Sequence, residues 1–66
     1  MRMSQVNQAI HHLGLELVRG RGYFYFLSLR TGYQVGTMVT VYRLNHLPLD
    51  RWVERAEYAV EEEQRQ

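Results

Sequence analysis

Met3, Val6, Ile10 and Leu13 recur at spacings of three, four and three, which is one face of a helix. Ser4 with Gln8 opens that stretch and Gly14 closes it, so the pattern predicts a helix over about Ser4 to Leu13. The period then changes from helical to alternating. Leu15 to Arg19, Tyr23 to Arg30 and Val35 to Arg43 are rich in β-branched and aromatic residues and are separated by Gly20-Arg21-Gly22 and Thr31-Gly32-Tyr33-Gln34. Two short connections make a meander with strand order 1-2-3 and the most apolar strand in the middle. After Pro48 the helical period returns. Leu49, Trp52, Val53, Ala56, Ala59 and Val60 line one side of a helix over about Pro48 to Gln64, with Asp50 in its first turn. The expected architecture is α+β in the order α-β-β-β-α. It is a three-stranded antiparallel meander with both helices on one face, forming a single domain over residues 1–66.

Which side of the sheet lies beneath the helices depends on the central strand. Tyr23, Tyr25, Leu27 and Leu29 share one side; Phe24, Phe26, Ser28 and Arg30 share the other. Ser28 and Arg30 suit water, and exposing Leu27 and Leu29 would forfeit about 2 kcal/mol each. The Tyr/Leu set is therefore expected inside, joined by Leu15, Leu17, Val39 and Val41. That leaves Val18, Phe24, Phe26, Met38, Thr40 and Tyr42 outward, with Glu16 and Arg30 at the margin. An outward apolar patch of this kind marks a partner surface. Its candidate docking residues are Phe24, Phe26, Met38, Tyr42 and Arg30.

Length and composition narrow the function classes. The chain has 66 residues, 45% of them hydrophobic and 12% aromatic, which is too apolar for a disordered tail. It has no Cys, which excludes a disulfide scaffold, a thiolate metal site and a cysteine nucleophile. No apolar run approaches the roughly 18 residues of a membrane span, and the N-terminal stretch lacks a signal-peptide pattern, so a cytoplasmic protein without membrane contact is expected. A domain of this size buries only about 60% of its unfolded surface, which makes a partner, often a second copy, a usual source of extra stability. A homodimer therefore stands among the readings.

Charge is divided along the chain. Residues 1–46 carry Arg2, Arg19, Arg21, Arg30 and Arg43 against Glu16, a balance of +4; residues 47–66 carry Arg51, Arg55 and Arg65 against Asp50, Glu54, Glu57, Glu61, Glu62 and Glu63, a balance of −3. The total is +1. Asp50, Glu54, Glu57 and Glu61 form an acidic stripe on the second helix. It reads as an ordinary soluble helix face or as a row of charges that imitates a nucleic-acid backbone toward a basic protein. Arg19, Arg21, Arg30 and Arg43 gather near strand ends, as a solvated edge or as a phosphate-binding rim. His11, His12 and His46 have no metal-ligand spacing, and Ser4 and Ser28 have no identifiable base. No cofactor, metal site or catalytic group is expected, and the chain reads as a non-enzyme.

Two resemblances bear on function. Arg21-Gly22-Tyr23-Phe24-Tyr25 resembles the basic-Gly-aromatic-small-aromatic signature of RNA-recognition domains, which presents two aromatics on an open sheet. Phe24 occupies the small position, the chain is shorter than that fold, and the expected register turns Tyr23 and Tyr25 inward. The topology also resembles a double-stranded-RNA-binding domain in outline, with an acidic second helix where a basic one is needed. Leu17-Val18-Arg19-Gly20, Gly22-Tyr23-Phe24-Tyr25-Phe26, Val39-Thr40-Val41-Tyr42-Arg43-Leu44-Asn45, Leu47 and Trp52 resemble a group of small proteins of phages and mobile elements in GC-rich bacteria. That resemblance carries no activity with it; it implies genomic company in which small proteins often bind and redirect host machinery, inhibition of host defence, such as anti-CRISPR action, being one outcome. The leading expectation is a non-enzymatic interaction protein. The alternatives are a small nucleic-acid binder using the Arg rim and sheet aromatics, and a homodimeric structural or regulatory protein.

Overall fold

The computed structural model describes residues 1–65. Helix α1 (Met3–Ile10) leads through a 3₁₀ turn (His11–Leu13) into β1 (Leu15–Arg19); β2 (Phe24–Ser28) and β3 (Gln34–Val39) follow, then a second 3₁₀ turn (Leu44–His46) and α2 (Leu49–Gln64). The strands form one antiparallel sheet in the order β1-β2-β3, giving the expected α-β-β-β-α fold. Helix α1 begins with the Gln5 side-chain oxygen accepting the Arg2 backbone N–H at 2.8 Å. Its C-terminal turn ends with the Gly14 N–H donating to the His11 carbonyl. Pro48 stands just outside α2, where its carbonyl accepts from Arg51 and Trp52 and its missing N–H is not needed.

Helix α1 packs against β1, α2 against β3, and the two helices touch. Between helices and sheet lie Val6 and Ile10 from α1, Leu15 and Leu17 from β1, Phe24 and Phe26 from β2, Val35 and Val39 from β3, and Trp52, Ala56 and Ala59 from α2. Trp52 anchors this core. Its ring meets Phe24 edge-on with centroids 5.2 Å apart, and its indole N–H donates to the Leu44 carbonyl at 2.9 Å. Burying a tryptophan requires a partner for that N–H, and the 3₁₀ turn supplies it. Leu49, expected in the buried stripe, is instead 39% exposed at the start of α2.

The central strand is the other way up from the sequence expectation, while Leu15, Leu17 and Val39 face the helices as expected. Directly opposed residues of an antiparallel pair share a face, and the register pairs Leu15 with Ser28 and Leu17 with Phe26. Phe24 and Phe26 are therefore sealed beneath the helices, while Tyr25 and Leu27 pair with Val18 and Glu16 on the outer side. Two of the four residues that favoured the opposite choice, Leu29 and Arg30, are not strand residues. β2 ends at Ser28, so Leu29 and Arg30 belong to the turn and follow no strand alternation. Ser28 is buried at little cost, because its hydroxyl oxygen accepts the Thr31 N–H at 3.3 Å and its backbone groups bond to Gly32 and Tyr33.

β3 stops at Val39 rather than continuing to Arg43, because the Val41 N–H turns back onto the Val39 carbonyl at 3.1 Å. Within β3 the ladder is interrupted: Val35 pairs with Phe26 and Val39 with Phe24, so Gly36, Thr37 and Met38 oppose Tyr25 alone. Two extra residues preserve face parity, and both valines point inward. Gly36 makes the irregularity feasible. Its φ is +69°, and a Cβ there would lie 2.9 Å from the Ala59 Cβ of α2.

Candidate functional site

Inverting the central strand changes which residues can meet a ligand. Phe24 and Phe26, expected at a docking surface, are 0% and 1% exposed and belong to the core. Met38 and Tyr42 are exposed, at 48% and 81%. Arg30 is exposed but directed toward the helix layer, where its guanidinium bonds the Glu63 carboxylate at 3.0 Å. The expected patch therefore does not exist as one surface.

A different patch takes its place. The side of the sheet away from the helices carries Val18, Tyr23, Tyr25, Leu27 and Met38, with Glu16 toward the Leu27 end and Gln34 beside Leu27. Tyr23 and Tyr25, two positions apart, have ring centroids 6.1 Å apart and planes inclined by 32°. Tyr23 lies across the backbone of Gly20, so close that any Cβ there would run into the ring. The Gly20 N–H also donates to the Tyr23 carbonyl at 2.8 Å. At Gly22 the Tyr42 ring approaches to 3.5 Å from where a Cβ would stand. The Gly20-Arg21-Gly22 turn is thus framed by two tyrosine rings, and a third ring, Tyr25, continues the row along β2.

Arginines collect at the same end. Arg19 closes β1 on the helix side of the sheet, opposite Phe24 and with its guanidinium 5.2 Å from the centre of that ring, Arg21 is exposed in the turn, and Arg43 follows Tyr42. Among the described residues none of these three forms an ion pair; the pairs present are Arg30–Glu63, Arg51–Glu54 and Arg65–Glu61. Arg30, the fourth member of the expected rim, is at the other end of β2 and is engaged with α2. Arg43 has a further local role, its backbone N–H donating to His46 Nδ1 at 3.3 Å.

The acidic stripe is present as expected. Asp50, Glu54, Glu57 and Glu61 are all exposed on the side of α2 opposite Trp52, Ala56 and Ala59. It is not an uninterrupted row of negative charge, because Arg51 lies 3.5 Å from Glu54 and Arg65 lies 3.1 Å from Glu61. A shallow surface depression beside it is lined by Arg51, Arg55 and Tyr58 together with the glutamates. Among the described residues no helix is long and apolar enough to cross a membrane.

Sequence reasoning missed Asn7. Its side-chain oxygen accepts the Leu17 N–H at 2.7 Å, so α1 covers part of the outer edge of β1. An Asn one position after a buried Val is a usable signal only once the helix is known to pack beside a strand edge. Comparison with protein-family models, with curated proteins and with solved structures finds no match.

Proposed function

We propose that the chain acts by stoichiometric binding, without chemical turnover of its own, and that the open face of its sheet is the working surface. One observation carries this reading. The helices cover one side of the sheet and leave Val18, Tyr23, Tyr25, Leu27 and Met38 contiguous on the other. Contiguous apolar surface rimmed by polar groups is where small proteins meet ligands. The acidic stripe serves solubility, since half of its carboxylates are already paired with arginines of the same helix.

Site-directed photocrosslinking in cells expressing the chain tests the choice of surface. A photoreactive residue at Met38 is expected to give adducts, and one at Glu57 is expected to give none above background. Adducts from Glu57 with none from Met38 would assign the activity to α2 and overturn the proposal.

A further inference from the structure

We infer that the ligand of the open face is single-stranded nucleic acid, with bases resting on Tyr23 and Tyr25 and phosphates met by Arg21 and Arg43. This rests on the open sheet face being the working surface.

Size argues against the main competitor. Three strands at about 4.8 Å spacing and five residues at about 3.3 Å rise make a face of about 14 by 17 Å, or about 240 Å² in plan. A stable protein–protein interface needs about 800 Å² from each partner. Accessible area exceeds plan area, yet a face this small argues against a second copy or a globular protein held by it alone. A ligand that attaches through a few flat groups is not limited in this way.

Chemistry then selects among small flat ligands. Tyr23 and Tyr25 offer adjacent rings at 6.1 Å, one of them fixed across Gly20. Tyrosine rings take bases of any sequence, because every base has a π-face. The charge at that end has one sign. Arg21 and Arg43 have no carboxylate partner among the described residues, while Glu16 stands toward the opposite end of the face. Aromatic rings beside unpaired arginines match a chain of bases linked by phosphates. A duplex keeps its bases stacked inside and cannot use the tyrosines.

Fluorescence anisotropy with labelled oligo(dT), oligo(rU) and a DNA duplex tests the inference, with Trp52 emission and circular dichroism monitoring the fold. The expected result is saturable binding of single strands at about 50 mM salt, with a log–log salt slope of about −1.4 for two phosphate contacts. The oligo(dT) and oligo(rU) arms show whether DNA, RNA or both are taken. Tyr25→Leu retains apolar bulk but removes the π-face and should weaken binding by roughly fivefold to a hundredfold, whereas Tyr25→Phe should stay within about twofold. Arg21→Gln should reduce the salt slope by about 0.7. Absence of single-strand binding, or duplex binding indifferent to Tyr25→Leu, overturns the inference. The photocrosslinked Met38 adduct separates the two levels. An adduct removed by nuclease supports nucleic acid; one removed only by protease leaves the sheet face as the working surface and overturns the ligand assignment.

Discussion

Phe26 and Tyr25 are chain neighbours on opposite sides of one strand, and truncating each in turn measures which side is the interior. Phe26 is 1% exposed in the shared core, and Phe26→Ala leaves a cavity that the packed helices cannot fill. Such truncations cost about 3–5 kcal/mol. A domain of 66 residues has about 3–10 kcal/mol of stability in total, so this variant is at or near its folding limit. Tyr25 lies on the uncovered side, where water replaces the lost ring and no cavity forms. Its truncation to Ala forfeits part of a transfer term and some strand preference, about 1–2 kcal/mol. With a urea m-value of about 1 kcal/mol/M, the midpoint falls by about 3 M or more for Phe26→Ala and by about 1–2 M for Tyr25→Ala. Phe26→Leu, costing less than about 1.5 kcal/mol, keeps the comparison measurable if the alanine variant does not fold. Trp52 emission is a suitable probe, because the indole is fully buried and bonded to the Leu44 carbonyl, and its aromatic partner Phe24 is untouched. If Tyr25→Ala is as damaging as Phe26→Ala, the sheet is not oriented as described and the binding face is not where it is drawn here.

Three further substitutions probe the supports of that arrangement. Gly36→Ala should cost more than about 2 kcal/mol by urea unfolding, since it puts a side chain at φ +69° and its Cβ 2.9 Å from that of Ala59. Asn7→Ala leaves the partly buried Leu17 N–H without its acceptor, worth about 1–2 kcal/mol, and calorimetry should show Tm falling by about 4–8 °C for each kcal/mol. Gly20→Ala displaces the Tyr23 ring, which can swing into solvent; urea unfolding should change by less than about 1 kcal/mol, while the Tyr23 ring resonances shift and oligonucleotide affinity drops.

The elements were legible because each follows from local pattern. Met3, Val6, Ile10 and Leu13 repeat at helical spacing, and Trp52, Ala56 and Ala59 do the same in α2. Strand order followed from the short connections alone. The orientation of the central strand was not legible, because it depends on where β2 stops. Tyr23 to Arg30 reads as eight alternating residues, and within that frame Leu29 and Arg30 argue for burying the Tyr/Leu side. Hydrogen bonding ends the strand at Ser28, through Gly32 N–H to the Ser28 carbonyl and Ser28 N–H to the Tyr33 carbonyl. With those two positions removed, two phenylalanines face two tyrosines and one leucine. The phenylalanines go inside, having no hydroxyl to satisfy. The same shift moved Phe24 and Phe26 out of the candidate site and brought Tyr23 and Tyr25 into it.

Net charge is a poor guide to what this surface attracts. A total of +1 argues against affinity for polyanions only if the charges act as one sum. They do not. The carboxylates of Asp50, Glu54, Glu57 and Glu61 stand on the far side of α2, across a molecule whose smallest extent is 17 Å. The screening length at physiological ionic strength is about 8 Å, so their field at the Tyr23 end is largely extinguished. Arg21 and Arg43 act there at contact range. Lowering the salt lengthens the reach of both sets of charges. Binding that depends on the near arginines should therefore strengthen less steeply below about 0.01 M, where the screening length of about 30 Å lets the stripe oppose them. Replacing Glu54 and Glu57 with Gln should restore the steeper rise at low salt and leave binding at physiological salt unchanged. A stripe that contacts the ligand directly would instead alter affinity at every salt concentration.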